Sequence, residues 1–237
     1  MVLLLAAAAV GGEIRGRVIV SAPDGGVAAT PPQPIVVYLT GFRQPPFPDS
    51  PVVSQKDKTF LPDLQVVVAG QAVQFTNDDP FVHNVFSNST ARQFDLGQPG
   101  PHETRTVSFP TPGLVDVFCN IHEQMYANVL VLPNRAFARV GPDGTFVIRD
   151  VPAGKHPLHA WGRQTEPFEM EVVVGEGQPI EVQLEALQRG SQSRRLVVAR
   201  HHDGEVDASV WSAGRRQGNG RHGVLPRWTP PLTTQPP

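Results

Sequence analysis

The 237-residue chain contains one cysteine, Cys119, followed at short intervals by His122 and Met125 in Val115-Asp-Val-Phe-Cys-Asn-Ile-His-Glu-Gln-Met-Tyr126. A second histidine, His83, lies about 35 residues upstream, in Asn77-Asp-Asp-Pro-Phe-Val-His-Asn84. One thiolate, two imidazoles and one thioether are the donor set of a trigonal copper site, with two His and a Cys around the metal and a weak axial Met. Thiolate and thioether suit Cu(I), imidazole suits either oxidation state, and a trigonal arrangement limits rearrangement between them. A ligating thiol must be deprotonated, and the metal itself enforces that. Taken singly, each residue has a plainer reading: a lone buried Cys is a small apolar core residue, a lone His a loop or core residue, and Met core filler. The joint spacing carries the metal reading. Gln124 is an alternative axial donor, although the spacing favours Met125.

The elements around these residues read as short strands. Glu13 to Ser21 alternates, with Ile14, Gly16, Val18 and Val20 on one face. Ile35-Val-Val-Tyr-Leu39 is apolar on both sides and reads as an interior strand. Residues 43–54 hold four prolines and read as a loop. Strands are expected over 59–68 and 71–77, with Gly70 at a hairpin turn between them. His83 to Ser87 reads as a short strand, 88–103 as loop, and Arg105 to Phe109 as a strand. Leu114–Cys119 and Asn128–Leu132 flank the ligand loop. Farther on, Gly141-Pro-Asp-Gly144 reads as a hairpin turn before Thr145–Arg149. Val151-Pro-Ala-Gly154 is a second turn, and amphipathic strands follow, with Met170, Val172 and Val174, then Ile180, Val182 and Leu184, on inner faces. Regular pattern stops near Leu187, and residues 188–237, rich in Arg, Gly, Ser and Pro, read as a disordered tail.

Composition supports an all-β chain. Hydrophobic residues make up 40%, enough for a real core, and Gly 22 with Pro 25 supply many turns. The formal charge of -2 is uneven: eight Arg against three acidic residues from Arg189 onward leave the body mildly acidic, which argues against nucleic acid as partner. A single cysteine excludes an internal disulfide. Met1-Val-Leu-Leu-Leu-Ala-Ala-Ala-Ala-Val-Gly-Gly12 resembles the end of a secretory signal, too short to span a bilayer, so residues 1–12 are expected to be an export remnant. An exported thiol is exposed to oxidation unless something such as a metal occupies it. His156 and His159, at i, i+3 of a strand, point to opposite faces and are poor co-ligands; His201-His202 lies in the tail. No Ser-His-Asp spacing, phosphate loop, basic stripe with aromatics or His-x-His pair is present, so an enzyme is not expected.

Phe75-Thr-Asn77, His83-Asn84 and Cys119-x₂-His122-x₂-Met125 resemble the cupredoxins, the blue type 1 copper proteins, over roughly residues 55–132. The Cys-to-Met spacing is the short form of amicyanin rather than the longer one of plastocyanin. The resemblance implies a Greek-key β-sandwich holding one copper ion, with His83, Cys119 and His122 equatorial, Met125 axial, and single-electron transfer as function. It gives Asn84 a hydrogen bond between the two ligand segments, and places Phe81, Pro80 and Pro112 as an apolar rim around the exposed edge of His122. Where amicyanin-like loops have Pro after the second histidine, this chain has Glu123, which sets a charge near the docking face.

A second stretch, Gly144-Thr-Phe-Val-Ile-Arg-Asp-Val-Pro-Ala-Gly-Lys-His-Pro-Leu-His-Ala-Trp161, is similar to carboxypeptidase-regulatory-like domains, small transthyretin-type β-sandwiches that imply no peptidase activity. Such a domain normally opens with strands like Gly12–Val18 and Ile35–Leu39, here placed before the cupredoxin part. Residues 13–54 are therefore expected to begin the second sandwich and 133–187 to complete it. The arrangement resembles proteins labelled methylamine-utilisation proteins. The expectation is an exported, periplasmic electron carrier whose unknown redox partner docks near the His122 edge; the alternative is a copper-binding or delivery protein.

Overall fold

The computed structural model describes residues 11–21, 27–28, 34–177, 179–187, 198–200 and 206–207. The expected export segment falls outside them apart from Gly11 and Gly12. The described residues are all-β. In chain order the first strands are β1 (Gly12–Ser21), β2 (Val27–Ala28), β3 (Ile35–Leu39), β4 (Val52–Lys56), β5 (Thr59–Leu61), β6 (Leu64–Val68) and β7 (Ala72–Asn77). The ligand region follows with β8 (Phe86–Ser89), β9 (Arg92–Asp95), β10 (Thr104–Ser108), β11 (Gly113–Phe118) and β12 (Tyr126–Leu132). Then come β13 (Phe137–Arg139), β14 (Thr145–Val151), β15 (Gly154–Gly162), β16 (Phe168–Val174), β17 (Pro179–Leu187), β18 (Val198–Arg200) and β19 (Val206–Asp207).

Four sheets form. One runs β14-β1-β17-β18-β19, with β2 on β1, and a second runs β13-β3-β15-β16. Between them lies a core of alternate residues, among them Ile14, Val37, Ile148, Leu158, Val172 and Val182. The other two sheets, β10-β7-β4-β5 and β6-β12-β11-β8-β9, enclose Val53, Phe75, Val117, Cys119, Met125 and Val129. Strand β1 thus pairs with β2, β14 and β17, and with no strand of residues 52–132 among those described.

A third apolar layer joins the pairs of sheets back to back. Val36, Tyr38 and Trp161 meet Leu64, Val66, Leu130 and Leu132. This explains why β3 is buried at every position and β12 at all but its first. Odd residues of β3 face one core and even ones the junction, so the strand must be apolar on both sides. Polar contacts surround this layer. The Arg163 guanidinium donates through Nε to Asn128 Oδ1 at 2.9 Å and through Nη2 to the Asp63 carbonyl at 2.8 Å, and lies 4.9 Å from the centre of the Tyr126 ring. Tyr126 Oη in turn donates to Asp116 Oδ1 at 2.7 Å.

Several local expectations change. Gly70 has φ +99° and turns the chain, yet β6 pairs with β12 while β7 pairs with β4 and β10, so the turn passes between sheets and closes no hairpin. The same holds at Gly141–Gly144, since β13 pairs with β3 and β14 with β1. A turn sequence specifies a reversal, and whether the two arms pair is decided by which face each buries. The 43–54 loop ends earlier, at β4, and the 88–103 loop contains β9, a polar strand with no inward-facing run to announce it. The strand expected from His83 starts at Phe86. Within the expected tail, β18 and β19 extend the sheet beyond β17, and its remaining residues lie outside those described.

Both tyrosines of the chain belong to the junction. Burial, then the Glu169 charge, pushes Tyr38 upward, and burial, then the hydrogen bond to Asp116, pushes Tyr126 up to about 12. Each is an acid whose folded value exceeds the value of about 10 in an unfolded chain. The unfolded chain therefore loses its protons first, and stability falls as pH rises from about 10 towards 12. An alkaline titration followed by tyrosinate absorption should show only a small fraction, about a tenth of Tyr126, in the native protein at pH about 11, and both groups ionising near 10 in denaturant.

Candidate metal centre

Strands β11 and β12 pair from Gly113↔Val131 to Phe118↔Tyr126, so residues 119–125 close the hairpin between them. Phe118 also pairs with Phe86 of β8. That second pairing brings residues 83–85, just before β8, alongside the cysteine. The Asn84 backbone N–H points at Cys119 Sγ at 3.4 Å and ties the two segments together. The loop is closed from within: Met125 N–H donates to the His122 carbonyl at 3.0 Å, and Cys119 N–H to the Met125 carbonyl at 3.3 Å.

These contacts collect the expected donors. The Nδ1 atoms of His83 and His122 lie 3.2 Å apart, and ligand atoms of His83, Cys119 and His122 all fall within 4.8 Å of one another. This is the one such triad of potential ligands among the described residues. His83 is 0% exposed, Cys119 5% and Met125 1%, while His122 is half-buried and forms the open side. Met125 shares the core with Cys119 directly below the loop. Gln124, the alternative axial donor of the sequence reading, is exposed in the turn at Glu123 and Gln124, whereas Met125 is buried.

Sequence reasoning missed Asp79. Its carboxylate is buried, lies 2.8 Å from His83 Nε2, and accepts the amide N–H groups of Asp57 at 2.8 Å and Lys58 at 3.0 Å. Burial alone would raise its pKa, but these hydrogen bonds outweigh it and hold the carboxyl below its ordinary value. His122 is held below the ordinary imidazole value by desolvation first and then by the His83 and Lys58 charges, so it offers a neutral donor at neutral pH. An Asp four residues before a candidate ligand was the available signal for Asp79, but its other partners come from a turn about 20 residues earlier.

The rim differs from the expectation. Phe81 is 38% exposed, with its ring centre 5.7 Å from that of His122, and Val82 and Ile121 at 44% and 41% add to it. Pro112 precedes β11, whereas Cys119 follows it, so Pro112 sits about 20 Å away at the other end of the strand and takes no part. Asn84 makes the expected link between the two ligand segments, but through its backbone. Its side chain donates to Asp95 Oδ1 and the Gly97 carbonyl, both at 2.9 Å, and only its backbone N–H reaches the other ligand segment. Glu123 is exposed on the loop, as its sequence position suggested. His156 and His159 sit apart, one donating to the Pro152 carbonyl at 2.8 Å and the other stacked on Tyr38. His201 and His202 lie outside the described residues.

No protein-family model matches the sequence. No curated protein matches it either. Among solved structures, it is similar to a Cu-containing nitrite reductase from Thermus scotoductus SA-01 at 22% identity and TM-score 0.34, over 39% of this chain and 24% of that one. The chain therefore spans about a quarter of the nitrite reductase. It is also similar to a purple cupredoxin from Nitrosopumilus maritimus at 18% identity and TM-score 0.32, over 35% of this chain and 99% of that one. A reduced amicyanin mutant gives 18% identity and TM-score 0.34, over 40% of this chain and 97% of that one. Each likeness covers less than half of the chain at a low TM-score, so the case for the site rests on its own geometry.

That geometry makes a prediction independent of which metal binds. Cys119 in the metal-free protein should react slowly with a disulfide reagent because it is buried. One equivalent of a thiophilic metal ion should slow the reaction at least about tenfold further, and His122→Ala should remove most of that protection. Thiol titration with and without metal measures both.

Proposed function

We propose that this chain is an extracytoplasmic, non-enzymatic copper protein that exchanges single electrons through a type 1 site. The observation that carries the reading is the convergence of ligand atoms of His83, His122 and Cys119 within 4.8 Å of one another, with the two Nδ1 atoms 3.2 Å apart. The donors fit copper: a thiolate and two imidazoles in one small space are the equatorial set of a blue site, and Met125, buried beside Cys119, is the axial thioether in this reading. Copper, when bound, supplies a one-electron couple. The protein's residues hold the donors in place, exclude water through the Phe75, Val85, Met125 and Val117 core, and leave one imidazole edge open. Phe81, Val82 and Ile121 around that edge form the face on which a redox partner docks.

In this reading the expected cupredoxin part, residues 55–132 extended back to Val52 by the pairing of β4 with β7, interrupts a carboxypeptidase-regulatory-like sandwich, supported by the pairing of β1 with β14 and β17 across the intervening strands. The partner remains a redox protein of unassigned identity. No helix among the described residues is long and apolar enough to cross a membrane. Burial of His83, Cys119 and Met125 favours a resident metal over a transferable one.

Adding Cu(II) to the purified metal-free protein should produce an intense thiolate-to-copper absorption at one equivalent, bleached reversibly by a reductant and lost in Cys119→Ser. Met125→Leu should keep the colour and raise the reduction potential, because removing the thioether takes away a donor. Colourless binding, or copper that passes readily to a chelator, would instead identify a delivery protein.

A further inference from the structure

Asp79 is a buried carboxylate with no role in holding the core, and its contacts are unusually complete. Two backbone amides and one imidazole nitrogen surround it. Both amides come from the β4–β5 hairpin turn, where Asp57 and Lys58 adopt φ of 53° and 56°. Left-handed backbone at both central residues is the geometry of the favoured two-residue hairpin turn, here without the glycine usual in it. Here it aims two N–H groups at a single carboxylate. The Asp79 segment is fixed from its other side as well, since Asp79 N–H donates to Asn77 Oδ1 at 3.0 Å and Asn77 Nδ2 donates to the carbonyls of Phe81 and Pro99 at 2.7 and 3.0 Å. The two amides use both oxygens, Asp57 N–H on Oδ1 and Lys58 N–H on Oδ2, and Oδ2 also faces His83 Nε2.

We propose that Asp79 is a positioning residue for the metal: it fixes His83 as the Nε2–H tautomer with Nδ1 facing the other donors, and its buried negative charge biases the site towards the oxidised ion. The inference rests on the copper reading above. Asp79 can only accept, so His83 Nε2 must carry the proton, and the Nδ1 lone pair is left pointing at the space shared with His122 and Cys119. A carboxylate behind a ligating imidazole also raises the basicity of that imidazole. Charge balance acts in the same direction. One thiolate and one carboxylate neutralise a divalent ion, whereas a monovalent ion leaves a net negative charge in a buried site, which is unfavourable. The nearest cation on this side, Lys58, places its Nζ 5.6 Å from the centre of the Phe81 ring at the solvent rim, where water screens it.

Two measurements on the full chain test this. Long-range ¹⁵N correlation spectra of the metal-free wild type should show His83 protonated at Nε2 only; protonation at Nδ1 would overturn the proposal without any variant being made. In the copper-loaded protein, Asp79→Asn removes the charge and one acceptor oxygen; with its remaining oxygen in the Oδ2 place it still accepts from Lys58 and His83, while the Asp57 N–H loses its partner. At a fixed electrode potential the variant should lower the ratio of oxidised to reduced protein at least tenfold, an upward shift of about 59 mV for one electron. It should also weaken Cu(II) binding more than Cu(I) binding, and Asp79→Glu should restore part of both effects. An unchanged potential in a folded Asp79→Asn protein would overturn the proposal. Should that variant not fold, the wild-type tautomer decides. If the wild type never develops the thiolate-to-copper absorption, the copper reading fails on its own evidence, while the tautomer result still reports on what Asp79 does to His83.

Discussion

The hydrogen bond from the Asn84 amide to Cys119 Sγ, at 3.4 Å, is the contact on which the site depends. It exists because Phe118 pairs with Phe86 in one sheet and with Tyr126 in the same sheet on its other side. Those two pairings place the residues before β8 and the loop after β11 at one end of a single sandwich. Without them His83 and Cys119 would belong to separate loops. In the proposed copper site the sulfur would be a thiolate, costly to bury unless its charge is compensated, and the strands set an amide donor and two imidazoles beside it.

Rigidity follows from how the frame is buried. Strand β12, which leads away from the Cys119–Met125 loop, is covered on both faces, by the core that holds Cys119 and Met125 on one side and by the Tyr38–Trp161 junction on the other. Arg163 crosses the same junction to Asn128 and Asp63, while the ring of Tyr126, next in sequence to Met125, lies beneath its guanidinium. The flanking sandwich thus bears directly on the strand that anchors two of the donors. Interiors packed on both faces deform little, which is what the proposed electron-transfer role would require of the site.

How much of this was legible in the sequence divides by range. Cys119, His122 and Met125 lie within one loop, so their spacing is a local property and could be read directly. His83 was legible because a histidine followed by Asn at the entry to a strand fits the same donor set. The strands with alternating inner faces, such as Ile180, Val182 and Leu184, were equally plain. Asp79 was not, because its meaning depends on the Asp57–Lys58 turn and on which side of His83 faces it. Gly70 and Gly141–Gly144 announced reversals correctly but not that the chain changes sheets there. The apolar faces of β3 suggested an interior strand, yet only the third layer of Val36, Leu64 and Leu130 shows what lies on its second side. Pro112 illustrates the opposite error: near the ligand loop in sequence, it stands a whole strand away in space.

The account stands on a site assembled by the fold before the metal arrives. Backbone amide spectra of the metal-free and Cu(I)-loaded protein, both diamagnetic, test it most directly. The account predicts shift changes confined to residues around 79–84 and 119–125, with the pairings of β8, β11 and β12 intact in both states. Changes spreading through β11, β12 and the junction around Trp161 and Arg163 would show that the metal builds the site, and would contradict it.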